Sequence, residues 1–149
     1  MVTELQLAST AELGLVLPLV EAFHVLAAVA LTAAEREAAV KALLSDRHLG
    51  GIWLIYDQGE LTGYVALCLG YSLEFGGRDA FIDELYLRPE CQGRGLGTAT
   101  LALIKVEAQK LGIRALHLEV DADNLPAQRL YRRAQFQPRD QYLAMTIRL

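Results

Sequence analysis

Cysteine and positive charge are both scarce in this chain. Its 149 residues include two cysteines, Cys68 and Cys91, and no CxxC pair or cysteine–histidine cluster. Neither a disulfide framework nor a metal site is therefore expected. Fourteen basic residues stand against 18 acidic residues, for a formal net charge of −4. Because nucleic-acid-binding proteins usually present a basic surface, this balance argues against a nucleic-acid partner.

Long apolar runs are missing as well. The apolar stretches at residues 13–20 and 25–34 are each far shorter than the ~20 residues that a membrane span needs. Pro18, Glu21 and His24 interrupt them further. The start of the chain lacks a basic segment followed by an apolar core and a small-residue cleavage site, so no secretory signal is expected. We therefore predict a cytoplasmic location and no membrane partner.

The composition suits one folded domain. Hydrophobic residues make up 53% of the chain, ample for a buried core, and the length is that of a single domain over residues 1–149. The predicted strands lie at residues 5–7, 52–56, 61–71, 80–87, 115–120, 136 and 142–149. The predicted helices lie at residues 13–23, 32–44, 95–111 and 126–134. This order predicts a layered α/β or α+β domain with a mixed sheet covered by helices.

Local signals mark the first two helices. Ser9 or Thr10 offers an N-cap for the first, and Thr32 with Glu35 forms the capping-box pattern of the second. Pro18 lies inside the first helix, which predicts a kink or a break there.

A chemical signature lies where a strand enters a glycine-rich turn that opens a long helix. Residues 92–97 read Gln-Gly-Arg-Gly-Leu-Gly. Unpaired N–H groups at a helix start bind anions, glycines let the backbone approach a phosphate, and Arg94 would add charge-assisted contacts. A dinucleotide fingerprint does not fit, because Thr98 stands in place of its third glycine and three hairpin-connected strands precede the turn. No Gly-Lys-Ser/Thr follows, which excludes a P-loop.

Two motifs in this part of the chain resemble those of the GCN5-related N-acetyltransferase (GNAT) superfamily. Residues 92–97 resemble its pyrophosphate loop, Gln-x-x-Gly-x-Gly, and residues 124–131 resemble its second signature, Asn-x-x-Ala-x-x-Leu-Tyr. One departure is Gln135, where the family usually has glycine before Phe136. The resemblance covers essentially the whole chain. It implies a mixed, largely antiparallel central sheet of about six or seven strands, flanked by about four helices, with central strands that splay apart.

The same resemblance implies acetyl-CoA as the acetyl donor, with no metal. Backbone groups of Leu85 and Leu87, on a splayed strand, would bond the pantetheine arm, and Asn124 would bond the pantetheine or nearby backbone. An N–H near Leu85 would stabilise the oxyanion that forms when an amine attacks the thioester. The amides that would hold the pyrophosphate belong to Gln92, Gly93, Arg94, Gly95, Leu96, Gly97 and Thr98.

Three side chains are candidates for the proton transfers. By the resemblance, Tyr131 would protonate the leaving thiolate, although a tyrosine on an amphipathic helix also suits core packing. Asp83 is the preferred base or amine anchor and Glu84 the second choice, and for both the alternative is a solvated carboxylate at a sheet edge. Period-two alternation puts one of them on each face. The residues predicted to share the face of Asp83 are Asp79, Phe81, Leu85 and Leu87.

These expectations combine into one predicted function. The chain would transfer an acetyl group from acetyl-CoA to a primary amine by direct attack in a ternary complex. A small-molecule amine is the preferred acceptor, and a protein N-terminus or lysine is the other kind. A catalytically silent acyl-CoA sensor is the alternative function, which would need neither Asp83 nor Tyr131. His24 would either face the acceptor pocket or be satisfied within the fold, and the resemblance allows a homodimer.

Overall fold

The sheet has five strands in the described part of the chain. A computed structural model describes residues 2–149. The strands are β1 (Thr3–Leu7), β2 (Gly50–Asp57), β3 (Glu60–Ser72), β4 (Gly77–Leu87) and β5 (Ala115–His117), in that spatial order. β1 to β4 pair antiparallel with their neighbours, and β5 joins β4 in parallel. The prediction of a mixed, largely antiparallel sheet is confirmed.

Within the described residues four α-helices accompany the sheet, as predicted. They are α1 (Leu13–Leu26), α2 (Ala33–Ser45), α3 (Leu96–Lys110) and α4 (Leu125–Arg133). The Thr32 hydroxyl accepts from the Glu35 amide at 3.1 Å, and the Glu35 carboxylate accepts from the Thr32 amide at 3.4 Å, which confirms the capping box. A kink or a break was predicted at Pro18, and the break is wrong, since α1 is continuous through it. Pro18 is the sixth residue of the helix and lacks the amide that would bond the Gly14 carbonyl.

The predicted closing strands are wrong. Six or seven strands were expected, but within residues 2–149 neither Phe136 nor the segment 142–149 forms one. β5 also ends at His117, short of the predicted residue 120. The alternating apolar residues of the last segment, such as Met145, are exposed. Alternation of apolar and polar residues is compatible with a strand, but a strand also needs a hydrogen-bonded neighbouring strand.

A β-bulge interrupts β4 at Asp83. Glu84 lies opposite Ala66 of β3 and Ile82 lies opposite Leu67, so Asp83 has no partner in the ladder. Residues directly opposite each other share a face of the sheet. Ala66 and Leu67 are consecutive and face opposite ways, so Glu84 and Ile82 do too.

The bulge overturns part of the predicted alternation. Before it, Phe81 lies opposite Cys68, on the same face as Ala66 and Glu84. After it, Leu85 lies opposite Val65, on the other face. The prediction that Asp79, Phe81, Asp83, Leu85 and Leu87 share one face is therefore wrong. An unpaired residue in the strand breaks the period of two.

The main core lies between the sheet and helices α1 and α2. Its members are Ala8, Val16, Leu19, Val20, Val40, Leu44, Ile52, Leu54, Tyr64, Ala66 and Tyr86. Alternate strand residues such as Trp53, Ile55 and Val65 are buried as well, so the sheet is covered on both faces. α3 packs against β1 and β4.

The chain divides into two compact units. One ends at Glu119 and contains the sheet with α1 to α3, and the other comprises Val120–Leu149 and contains α4. Among residues 2–149, no helix has the length and apolar character to cross a membrane.

Candidate functional site

The second half of β4 has a free edge. Its pairing with β5 ends at Phe81, while β4 itself continues to Leu87. The Arg88 amide donates to the Thr62 carbonyl of β3 at 2.8 Å. Because bonding directions alternate along an antiparallel strand, the backbone groups of Leu85 and Leu87 point away from β3. Over residues 2–149 no strand pairs with that side, so these two predicted pantetheine-binding residues lie at an open edge.

The chain then enters the predicted phosphate-binding turn. Gly93 and Gly95 both have a φ of 78°, in the left-handed region that favours glycine. A Cβ at either position would meet no atom within 4 Å, so the turn faces open space. Across the described chain, no backbone carbonyl accepts from the amides of residues 93–98. These amides gather at the start of the 15-residue helix α3, an arrangement that binds phosphate.

Two side chains fasten this turn to its surroundings. Gln92 donates through Nε2 to the Leu87 carbonyl at 3.3 Å. Arg94 donates to the Glu60 carboxylate and to the Glu90 carbonyl, both at 3.1 Å. A phosphate would therefore compete with Glu60 for the Arg94 side chain. The Arg94 backbone amide makes no such bond.

Glu84 is held by a hydrogen-bonded chain that joins α1, α2, β3 and β4. Its carboxylate accepts from the Tyr64 hydroxyl and from His24 Nε2, each at 2.7 Å. Arg36 Nε donates to His24 Nδ1 at 3.1 Å. Burial, together with the adjacent Glu84 charge, raises the pKa of Tyr64, so its hydroxyl remains a donor. His24 thus has a hydrogen-bond partner on each ring nitrogen. This matches the expectation that its hydrogen bonds are satisfied within the fold.

Asp83 is the exposed neighbour of this buried network. Its carboxylate has no hydrogen-bond donor among residues 2–149. Burial, followed by the charges of Asp83 and Glu84, raises the pKa of the Cys68 thiol to about 11. The two predicted carboxylates therefore lie side by side at the start of the free edge, one open to solvent and one bonded.

A second histidine–carboxylate pair lies on the same face of the sheet, and sequence reasoning missed it. Nε2 of His117, the last residue of β5, is 3.0 Å from the Asp79 carboxylate. The rings of Phe75 and Phe81 flank the imidazole, with centroids 5.2 and 5.1 Å away. No local motif marks the pair, because its members are 38 positions apart. Only the parallel register of β4 with β5 brings them together.

The second unit contains the other two predicted site residues. Asn124 accepts from the Ala127 amide at 3.2 Å and caps α4, so its side chain bonds nearby backbone. Tyr131, on the same helix, packs edge-on against Phe136 at 6.2 Å between centroids. Burial raises the pKa of Tyr131, so its hydroxyl stays protonated at neutral pH. Gln135 adopts a φ of 77°, the conformation for which glycine is the usual residue.

The chain matches a family model along most of its length. The model describes the acetyltransferase (GNAT) family and matches residues 20–136. The chain belongs to the GNAT family. Its sheet is the family's mixed sheet with fewer strands than expected, and its glycine turn and α4 correspond to the two motifs that carried the resemblance.

Solved structures share the fold of this GNAT chain. An integron cassette protein from the mobile metagenome of Cole Harbour Salt Marsh is 34% identical, with a TM-score of 0.83 over 96% of this chain and 89% of that one. A predicted acetyltransferase from Clostridium acetobutylicum, solved with acetyl-CoA, is 17% identical, with a TM-score of 0.77 over 97% and 96% of the two chains.

A curated relative resembles part of the GNAT chain more strongly. The mycothiol acetyltransferase of Pseudarthrobacter chlorophenolicus is 54% identical over 59 residues. Those residues are 37% of this chain and 18% of that protein. The chain thus spans less than a fifth of the relative's length.

Proposed function

We propose that this GNAT protein transfers an acetyl group from acetyl-CoA to a primary amine of a small molecule, by direct attack of the amine in a ternary complex. The observation that carries the proposal is the free edge of β4 that leads into the unbonded amides of residues 93–98. A strand edge bonds an amide-bearing arm, and helix-start amides bond a diphosphate. In coenzyme A the amide-bearing pantetheine arm is followed by the diphosphate, the same order as the strand edge and the helix start.

The reaction needs a donor for the oxyanion and a donor for the leaving thiolate. We infer that the outward-pointing Leu85 amide donates to the oxyanion of the attacked thioester. Tyr131 would donate to the departing thiolate, a role that its raised pKa supports, since the donor must hold a proton at neutral pH.

The carboxylates favour a cationic acceptor. Asp83 has no donor and is free to hold an ammonium group, whereas Glu84 already accepts two hydrogen bonds and adds fixed negative charge beside it. A small-molecule acceptor is supported by the partial match to mycothiol acetyltransferases.

The test combines a binding and a transfer measurement. Isothermal calorimetry with acetyl-CoA should show binding, and thiol release over a panel of small amines should show turnover. Gly95→Asp should weaken acetyl-CoA binding by about 100-fold or more, because it adds strain and puts a carboxylate at the phosphate position.

Gly112→Asp is the matched control for Gly95→Asp. Gly112 lies at the other end of α3 with a φ of 76° and equally open surroundings, so the backbone strain is similar without a phosphate site. Equal affinities for the two variants would contradict the site. Binding without transfer to any amine would favour the acyl-CoA sensor instead.

A further inference from the structure

We propose that His117 is the proton acceptor of this reaction. Oriented by Asp79 through Nε2, its imidazole takes the proton of the acceptor ammonium at Nδ1. The inference rests on the proposed function and deepens it, by naming the group that makes the amine neutral.

The bond to Asp79 decides which nitrogen of His117 is basic. A carboxylate only accepts hydrogen bonds, so Nε2 of the neutral imidazole carries the hydrogen. Nδ1 then has a lone pair, and no residue in the described part of the chain donates to it. A neutral imidazole with one nitrogen bonded to a carboxylate and the other free is suited to general base catalysis.

The surrounding residues hold this geometry. Asp79 lies opposite Gly70 of β3, and a Cβ at Gly70 would be 2.8 Å from Asp79 Oδ1. The rings of Phe75 and Phe81 restrict the imidazole. The side chains of Asp79 and His117 are each 16% exposed, so the pair is fixed but still reached by water.

The position of His117 suits a transfer through one water. His117 lies beside Phe81, where β4 and β5 part, and Leu85 is four residues further along β4. Asp83 is unpaired in the bulge, so this segment of β4 lies opposite only three residue steps of β3, from Cys68 to Val65, and the gap is roughly 10 Å at 3.3 Å per residue. A gap of that length leaves room for a thioester carbonyl bonded to the Leu85 amide, the attacking amine and one water.

Each acetyl transfer forms one C–N bond and breaks one C–S bond. The ammonium gives one proton, through the water, to His117 Nδ1, and the neutral amine forms a C–N bond to the thioester carbon. The tetrahedral oxyanion collapses and the C–S bond breaks. Tyr131 gives its proton to the thiolate, the second proton of the amine nitrogen restores the Tyr131 hydroxyl, and His117 releases its proton to solvent. One proton is released per acetyl group transferred.

Other titratable and charged groups lie on or beside this face. They include Tyr64 and Cys68 of β3, Asp83, Glu84 and Tyr86 of β4, His24 of α1 and Arg36 of α2. Asp83 holds the ammonium group in the proposed function, and Glu84 already accepts two hydrogen bonds. The raised pKa values of Tyr64 and Cys68 keep both protonated at neutral pH. Nδ1 of His24 accepts from Arg36. The third histidine, His48, is exposed in the loop before β2, next to Asp46.

The test measures kcat/KM against pH with two acceptors. One is the best amine of the panel, and the other is its fluorinated analogue, weakly basic and already neutral at pH 7. With the ordinary amine, His117→Gln should lower kcat/KM by about 100-fold at neutral pH. The loss should shrink as the pH nears the amine's own pKa of ~10.4 and be small for the fluorinated amine. His117→Asn serves if the glutamine variant does not fold.

The other two histidines are the controls. His48→Gln should match the wild type, and His24→Gln should not show the loss confined to the strongly basic amine that His117→Gln shows. A loss in His117→Gln that is the same for both amines at every pH would overturn the inference, and so would no loss. If the wild-type protein acetylates no amine, the proposed function fails before any variant is compared.

Discussion

The two histidine–carboxylate pairs differ at the second nitrogen of the imidazole. In each, a histidine Nε2 meets a carboxylate, at 2.7 Å for His24 with Glu84 and at 3.0 Å for His117 with Asp79. Arg36 occupies Nδ1 of His24, whereas no described residue occupies Nδ1 of His117. The first pair therefore ties helices to the sheet, and the second keeps a basic atom. The second nitrogen, more than the degree of burial, separates a structural histidine from a reactive one.

The largest expected difference between the pairs is in stability. His24→Leu keeps an apolar volume but removes one hydrogen-bond partner each from Glu84 and Arg36 in a poorly solvated place. Hydrogen bonds to charged groups contribute about 1.5–3 kcal/mol each, so we expect a loss of about 3 kcal/mol in unfolding free energy. His117→Leu, between two phenylalanine rings, should lose about 1 kcal/mol. Urea unfolding of both variants measures the difference. Equal losses of unfolding free energy would show that the two histidines do not differ in their contribution to stability.

The orientation of His117 is tested by Asp79→Asn. An amide can donate to Nε2, which would move the imidazole hydrogen to Nδ1 and remove the basic atom. We expect about a tenfold lower kcat/KM with a strongly basic amine and little change with a weakly basic one. Unfolding free energy should change by less than about 1 kcal/mol. An unaltered pH profile would show that Asp79 does not set the tautomer.

The smallest effect is expected from Gly70→Ala. The new Cβ would lie 2.8 Å from Asp79 Oδ1, so the carboxylate must shift by a few tenths of an ångström. About a threefold loss of kcat/KM should follow, without loss of stability, because alanine restricts the unfolded chain. Gly14→Ala, in open space on α1, is the control and should keep full activity. A Gly70→Ala protein as active as this control would show that catalysis tolerates a small shift of the Asp79 carboxylate.

Much of the fold was predictable because its signals are local. The Thr32–Glu35 capping box, the glycine turn and the hairpins each depend on neighbours in sequence, and the structure contains them. The closing strands were not predictable, since the alternation at 142–149 says nothing of a bonding partner. The break predicted at Pro18 does not occur, because one missing amide donor inside a 14-residue helix does not end it.

The candidate site was predictable only in part for the same reason. The coenzyme-binding residues form a continuous motif, so the sequence indicates them together. The bulge at Asp83 depends on the pairing of β4 with β3, and it invalidates the period-two assignment of faces. The Asp79–His117 pair depends on the register of a three-residue parallel strand, which no pattern in the chain predicts.

The bulge has a further consequence for how this position tolerates change. Ile82 and Glu84 already occupy consecutive places in the ladder, so Asp83 is a supernumerary residue there. Removing it would leave every flanking side chain oriented as before, whereas deletion of a paired residue away from the bulge, such as Ala80, would invert the residues between the cut and the bulge. The residue at position 83 can therefore be substituted or deleted in evolution without changing which side chains of β4 face the core.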